Sequence, residues 1–119
     1  MTGERLRGNL DLLLLAVLAA GPQHGYAVIT ALRERSEGAF DLPEGTVYPA
    51  LQRLERAGLL VSEWELASGR RRRTYALTAD GRAALAAERR QWAEFASGIS
   101  AVVGRVAAAK SRMALGWSS

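Results

Sequence analysis

The stretch Glu44–Leu60, EGTVYPALQRLERAGLL, decides the fold of this chain. Val47, Leu51 and Leu54 recur at the spacing of one helical face, so the stretch predicts a short helix with an apolar back. The opposite face carries polar and basic side chains, together with one proline: Tyr48, Pro49, Gln52, Arg53 and Arg56. Such a face suits a groove in nucleic acid, and a solvated surface is the alternative interpretation.

Three residues predict where this helix begins and ends. Pro43 suits a first helical position, since its missing N–H has no partner there in any helix. Thr46 lies in or just before the first turn, where its hydroxyl can accept a hydrogen bond from a free backbone N–H. Gly58 follows the last turn, where a residue in the left-handed conformation usually closes a helix.

The composition favours one domain outside the secretory pathway. The chain has 119 residues, of which 49% are hydrophobic, enough for a real core. Since there is no cysteine, disulfides and thiolate metal sites or nucleophiles are excluded. The apolar run Leu12–Ala20 is too short to span a bilayer, and no cleavage site follows it before Gly21 and Pro22. We therefore expect a cytoplasmic protein without a signal peptide.

The positive charge is local. The formal net charge is +4, and the run Arg70–Arg73 contributes four positive charges, so the remainder of the chain is balanced. A local basic cluster is typical of a surface that meets phosphates. A solvated charged loop is the other interpretation.

Two helices are predicted before the Glu44–Leu60 stretch. The segment Leu6–Ala20 is apolar on nearly every side, which indicates burial on more than one side and hints at a second chain. A second helix runs from about Gln23 to Arg35, with Tyr26, Ile29 and Leu32 setting its period. A short loop follows this second helix and leads into the helix with the polar outward face. The two helices and the loop together match a helix-turn-helix.

His24 is the only histidine of the chain. A zinc site would need further histidines or cysteines, and a catalytic triad would be built around this residue. We therefore expect a structural His24 near a helix start, and neither a metal, a cofactor nor an enzyme activity.

After Gly58 the period changes from helix to strand. Apolar and polar residues alternate over residues 60–66, the turn-rich tip Ala67–Gly69 follows, and alternation resumes over residues 73–77. This pattern predicts a β-hairpin whose tip and returning arm carry the four arginines. A hairpin after a recognition helix is a wing, whose arginines would neutralise phosphates or enter the minor groove.

A long last helix is predicted from about Ala79 to Ala109, with Thr78 as N-cap and Asp80 in the first turn. Its apolar residues follow an a/d heptad pattern, which predicts pairing with a second copy of the chain. The expected organisation is a DNA-binding domain over 1–78, a dimerisation helix over 79–110 and a flexible tail over 111–119. The dimerisation residues expected are Leu6, Leu10, Leu85, Trp92, Phe95, Ile99, Val102 and Val106.

At this point the residues resemble a known family. The motifs that carry the resemblance are HGY at 24–26, GTVYPALQRLERAGLL at 45–60, Trp64, RRRRTYALT at 70–78 with Gly81, and WAEF at 92–95. Together they look like a PadR-type transcriptional regulator of the short subfamily, which has one helix after the wing. The resemblance implies an α+β, mostly α fold: a winged helix-turn-helix with a long C-terminal dimerisation helix.

The family resemblance also implies a function and its residues. Relatives are usually homodimeric repressors of a near-palindromic double-stranded operator, released by a small molecule. The DNA-binding residues expected are Thr46, Tyr48, Pro49, Gln52, Arg53, Arg70, Arg71, Arg72 and Arg73. In ligand-binding relatives, a planar hydrophobic effector stacks on the aromatic residue at the Trp92 position. The positions that would line its cavity here are Leu12, Ala16, Leu85, Glu88, Trp92 and Ala96.

Two alternatives stay open on the sequence alone: a PadR-like regulator of DNA without a ligand, and a winged-helix module that binds protein. Trp92 itself has a simpler interpretation, as a heptad core residue. Neither alternative involves a membrane.

Overall fold

The computed structural model describes the backbone of residues 3–104 and the side chains of residues 9–104. Its elements in chain order are α1 (Gly3–Leu18), β1 (Gln23–His24), α2 (Gly25–Arg35), α3 (Glu44–Arg56), β2 (Leu60–Ala67), β3 (Arg70–Leu77) and α4 (Ala79–Val103). The three strands form one antiparallel sheet in the order β1-β3-β2. The predicted α+β, mostly α winged helix-turn-helix is confirmed.

Three helices and the inner face of β3 enclose the core. α1 contributes most to it, and Leu14, Leu15 and Leu18 are almost completely buried. Against them pack Val28 of α2 and Leu51 of α3, both with no exposed surface. The sequence predicted that α1 is buried on more than one side, and this is confirmed in part, since Leu12 and Leu13 are only half-buried at the edge of this core.

The second helix differs from its prediction at its start. Gln23 and His24 are extended and pair with Tyr75 and Thr74 of β3, so the sheet has a third strand that the sequence pattern did not show. Tyr26 does not set the period of α2, because its side chain is 60% exposed. Val28 takes its place in the buried row, with Ile29 and Leu32.

The wing is a regular hairpin. β2 pairs with β3 from Leu60 opposite Leu77 to Ala67 opposite Arg70. Two residues join the strands, and both have positive φ angles, 53° at Ser68 and 75° at Gly69. Such a two-residue turn matches the right-handed twist of the strands, and glycine adopts it without strain. The predicted hairpin is confirmed, but its tip is one residue shorter than predicted, because Ala67 still belongs to β2.

α4 begins as predicted. The Thr78 hydroxyl accepts a hydrogen bond from the Gly81 N–H (3.0 Å) and donates one to the Gly58 carbonyl (2.7 Å). A Cβ at Gly81 would overlap the Leu59 carbonyl oxygen, so only glycine lets α4 start this close to the end of α3. Asp80 lies in the first turn, where its charge suits the helix dipole.

The chain divides into two compact units, residues 1–87 and 88–119. The first includes the opening turns of α4, because Gly81 and Leu85 are buried in its core. The structure describes the second through Gly104, so Val106 and the predicted tail over 111–119 lie outside the described residues. No helix in the described part of the chain is both long and apolar enough to cross a membrane.

Candidate nucleic-acid interface

α3 turns one face to the core and the other outward. Val47, Leu51 and Leu54 are buried as predicted, whereas Pro49 and Gln52 are exposed. Pro49 has no N–H, so it cannot donate the usual helical bond to the carbonyl of Gly45 one turn earlier. Pro49 therefore adds an apolar ring, and no donor, to the exposed face beside Gln52.

The C-terminal end of α3 is capped as predicted, whereas its N-terminal end differs from the prediction. Gly58 has a φ of 82°, and Gly58 and Leu59 donate to the carbonyls of Glu55 and Leu54, both at 3.0 Å. This is a Schellman C-cap. At the other end the predicted position of Thr46 in the first turn is confirmed, but Thr46 is not the N-cap residue, and the helical position predicted for Pro43 was wrong. Pro43 is the N-cap residue and makes no side-chain cap bond, while Thr46 already lies in the first turn.

Tyr48 is the side chain of this face that the core holds most firmly. Its ring is half-buried against Gly25, where a Cβ would overlap the ring carbons. Burial, and then the charge of Glu44, raise the pKa of the Tyr48 phenol, so it stays a neutral hydrogen-bond donor. Gly25 thus explains the HGY motif: it leaves room for the tyrosine of the next helix.

His24 is structural, as predicted. Its Nδ1 accepts a hydrogen bond from the Ala27 N–H (3.3 Å) and caps α2. Burial, and then the positive charge of Arg72, lower the pKa of His24, while Glu65 opposes them. The imidazole is therefore neutral near pH 7, which is the form that can accept this bond.

Two of the four wing arginines are pre-organised by Trp64. The guanidinium carbons of Arg71 and Arg73 lie 4.8 and 5.1 Å from the centre of the indole ring. Trp64 is half exposed and lies directly across the ladder from Arg73. Arginine stacks favourably on tryptophan at such distances, so the ring restricts both side chains before any ligand arrives. Arg70 and Arg72 are exposed.

A polar chain joins the wing to α3. The Arg73 Nε donates to the Ser62 hydroxyl, which donates to the Glu55 carboxylate, each at 2.7 Å. Arg73 and Glu55 also form an ion pair at 4.0 Å. Arg73 is thus partly neutralised and fixes the wing beside α3.

The wing and α3 line one open groove. Its walls are formed by the start of α2, the wing side of α3 and the arginine-rich arm of the hairpin. The lining side chains that carry polar or charged groups are His24, Tyr26, Tyr48, Gln52, Glu55, Trp64, Ser68, Arg70, Arg71, Arg72, Arg73 and Tyr75. Most of the predicted DNA-binding residues therefore surround one basic, aromatic cleft.

Arg53 lies outside this groove and binds another helix. Its Nη1 and Nη2 donate to the two carboxylate oxygens of Asp11 in α1, at 3.1 and 2.8 Å. The hydrogen bond to Asp11 raises the pKa of Arg53 above its usual value, so the guanidinium is charged at any physiological pH. Of the predicted DNA-binding side chains, Arg53 is the one held by a full carboxylate fork.

Comparison with known proteins identifies the family. Residues 14–87 match the model of the transcriptional regulator PadR-like family, a segment that covers more than half of the chain. The chain belongs to this PadR-like family. Its members are transcriptional regulators rather than enzymes, as the sequence predicted.

Individual relatives agree with the assignment of this PadR-like chain. A transcriptional regulator from Mycobacterium tuberculosis is 48% identical over 64 residues, which are 54% of this chain and 60% of that relative. The match thus spans less than two thirds of the relative's length. A PadR family regulator from Eggerthella lenta is 32% identical, with a TM-score of 0.74 over 84% of this chain and 86% of that one. A transcriptional regulator from Clostridium thermocellum is 26% identical, with a TM-score of 0.78 over 85% of this chain and 99% of that one.

The residues of this PadR-like regulator that were assigned to pairing fall into three groups. Leu10 and Leu85 are buried within the first unit, so they are not free to meet a second chain. A row on α4 is exposed instead: Trp92, Phe95, Ile99 and Val102, joined by Val103. Leu6 and Val106 lie outside the described side chains.

The effector residues expected from the resemblance show mixed burial. Leu85 is buried, Leu12, Ala16, Glu88 and Ala96 are half-buried, and Trp92 is 46% exposed. In the described part of the chain, no three acidic or histidine side chains gather where they could hold a metal ion.

Sequence reasoning missed four residues that shape the interface of this PadR-like regulator: Asp11, Gly25, Glu55 and Ser62. Asp11 did carry a signal, because it is the single charge inside the apolar run Leu10–Leu15. Its partner Arg53 is 42 residues away, however, and no local pattern connects them. Gly25 lies within the noticed HGY motif, but only the fold shows that Tyr48 occupies the space beside it.

Proposed function

We propose that this PadR-like regulator is a sequence-specific DNA-binding repressor that acts as a homodimer. One observation carries the proposal: the outward face of α3 and the arginines of the wing border the same groove. A helix that enters the major groove and a hairpin that follows the adjacent backbone would need this arrangement.

The two sides of the groove would have different roles in binding DNA. Gln52 is exposed on α3 and carries both donors and an acceptor, the groups that read base edges. Arg71 is stacked on Trp64 and makes no ion pair within the described residues, so its charge is available for phosphate. Phosphate contacts fix the register and supply salt-dependent affinity, while base contacts supply specificity.

The exposed row on α4 supports the homodimer. Val102 is 86% exposed and Phe95 is 61% exposed, and contiguous apolar surface of this kind usually marks a protein partner. The a/d spacing of the row favours another helix as that partner. A second copy would place two α3 helices in successive major grooves, about 34 Å apart, which requires a near-palindromic operator.

Selection from a random DNA pool tests the proposal. The protein is incubated with random duplexes, the retained fragments are sequenced, and the best fragment is titrated by fluorescence anisotropy against unlabelled random DNA. We expect an enriched inverted repeat whose binding resists the competitor and weakens steeply with salt. No enrichment, together with binding that random DNA abolishes, would contradict the proposal and favour a protein-binding module.

Repression itself needs a separate readout. We expect a reporter gene placed behind the enriched sequence to be transcribed less when the protein is present. Increased transcription would overturn the repressor assignment while leaving DNA binding intact.

An effector site beside Trp92 is a second candidate function. The Trp92 and Phe95 rings lie 6.0 Å apart at an angle of 37°, and both are exposed. We propose that a planar hydrophobic molecule stacks on Trp92 and releases the operator. A variant that keeps only this tryptophan (Trp64→Phe, Trp117→Phe) is titrated with planar aromatic compounds while its fluorescence is recorded, and operator release by the same compounds is measured with the wild type, which keeps Trp64 in the wing. Saturable quenching with loss of operator binding supports the site, and unchanged fluorescence with all compounds contradicts it.

A further inference from the structure

The pair between Asp11 and Arg53 joins α1 to the recognition helix. Both Nη groups of the guanidinium meet both oxygens of the carboxylate, so the contact is a full two-pronged fork. This geometry fixes the plane of the guanidinium as well as its position. Within the described residues, Arg33 and Asp41 form a contrasting pair, with one contact at 3.9 Å.

The fork contributes little to the stability of the fold. The side chains of Arg53 and Asp11 are 52% and 40% exposed, and ion pairs exposed to this degree contribute little to stability. Leu14 and Leu51 already pack α1 and α3 together in the core. The consequence of the fork is therefore the fixed orientation of one cation on α3.

Helical spacing places that cation on the face proposed to meet DNA. Arg53 lies four residues after Pro49 and three before Arg56, so the three share the exposed surface of α3. Tyr48 and Glu55 lie on the flank beside the wing. Arg53 occupies the other flank, facing α1.

On the basis of the proposed function, we infer that Asp11 is a specificity-determining positioning residue. It holds Arg53 where the guanidinium meets one fixed position on the operator, and its negative charge lowers affinity for DNA of other sequence. Two of the five guanidinium donors are committed to Asp11, and three stay available.

The negative charge of Asp11 should affect the affinity for random DNA and the affinity for the operator differently. Binding to random DNA depends on the number of phosphates that cations neutralise. Asp11 offsets the charge of Arg53 at 2.8 Å, so this arginine adds little to the affinity for random DNA. Arg53 adds more to the affinity for the operator, because a pre-oriented cation loses less side-chain freedom when it makes its contact.

Asp11→Asn tests the inference, with Asp41→Asn as the charge-matched control. Both variants lose one exposed negative charge, and only the first breaks a fork. Anisotropy titrations measure dissociation constants for the selected duplex and for a random duplex of equal length. We expect Asp11→Asn to bind random DNA more tightly and to lower the ratio of operator to random affinity about fivefold. Asp41→Asn should leave that ratio unchanged.

Arg53→Lys provides a second variant, because lysine keeps the charge and loses the fork. We expect it to bind random DNA as the wild type does and the operator about fivefold more weakly. The inference is overturned if Asp11→Asn leaves the ratio unchanged, or if Asp41→Asn lowers it equally. It is also overturned if Arg53→Lys weakens both duplexes by one factor. If the wild type itself shows no preference for any selected duplex, the proposed function fails instead.

Discussion

Two helices of this molecule expose opposite chemistry. α3 buries Val47 and Leu51 completely and turns Gln52 and Arg56 outward. α4 beyond residue 87 does the reverse, since Trp92, Phe95 and Ile99 are among its exposed residues. Water tolerates the first surface and disfavours the second. The difference supports the partners that we propose for the two helices: nucleic acid for α3, and an apolar protein surface, that of a second copy, for α4.

A charge placed in the apolar row of α4 should have the largest effect. We expect Ile99→Glu to abolish the dimer and to weaken operator binding by about 100-fold or more, because two linked half-sites then bind independently. Sedimentation velocity measures the assembly, and anisotropy measures the affinity. Ser97→Glu adds the same charge on the opposite face of the helix and should change neither. If Ile99→Glu stays dimeric, the contrast between the two helices does not describe their partners.

The next largest effect concerns how α2 supports α3. We expect Gly25→Ala to destabilise the fold by about 1–3 kcal/mol, because the new methyl group overlaps the Tyr48 ring and the tyrosine must move. Urea denaturation measures the free energy of unfolding. Gly45→Ala is the matched control, since nothing lies within 4 Å of its added Cβ.

A double variant shows whether the tyrosine is the cause. In a Tyr48→Ala background, Gly25→Ala should cost much less, because the ring that it displaces is gone. An equal cost in both backgrounds would assign the damage to the backbone of α2 instead.

On the outward face of α3 and the wing, two substitutions should differ in kind. Gln52→Ala should change discrimination at one base pair by about 1–3 kcal/mol, since a side chain on the exposed face reads a base edge. Arg71→Ala should weaken all sequences alike and reduce the salt slope by about one. Anisotropy titrations over a salt series, on the operator and on its single-base variants, measure both effects. Equal losses on specific and random DNA from both variants would contradict this division.

The smallest effect separates the cap of α2 from its charge. Loss of the cap in His24→Ala should cost about 1 kcal/mol. Burial and Arg72 lower the pKa of folded His24 below its unfolded value near 6.5. The unfolded chain then binds the proton first, so the stabilising contribution is fully present above about pH 6.5 and is lost as the pH falls from there through the lower pKa of the folded state.

His24→Asn is the control for this titration. Asparagine can cap a helix and does not ionise, so this variant should keep most of the stability at pH 7 and lose the pH dependence between 5 and 7. Urea denaturation at several pH values measures both. An unchanged pH slope in His24→Asn would assign the dependence to another group.

Local sequence patterns were sufficient to predict the elements with strong periodicity. The alternation of the hairpin, the apolar spacing of α3 and the glycine at its end all follow from short-range preferences, and all are confirmed. The short strand Gln23–His24 was missed because two residues carry no period, and only Tyr75 and Thr74 across the sheet make them a strand. Leu85 fitted the heptad row, but its side chain is buried in the core of the first unit.

The site was predictable as a set of residues and not as a network. The polar face of α3 and the arginine run are visible in the sequence, and the fold brings most of them to one groove. That Trp64 stacks with Arg71, or that Asp11 holds Arg53, depends on side chains distant in sequence or on opposite strands. Charge alone does not show which arginines are already neutralised.

Hydroxyl-radical footprinting of the wild type on its selected duplex tests the central claim most directly. If α3 meets DNA and the α4 row meets a second copy, two symmetry-related stretches should be protected on one face of the duplex. Their centres should lie about 10 base pairs apart, and Ile99→Glu should lose this paired protection at the same protein concentration. Paired protection that survives in Ile99→Glu, or a single unsymmetrical stretch in the wild type, would contradict the account.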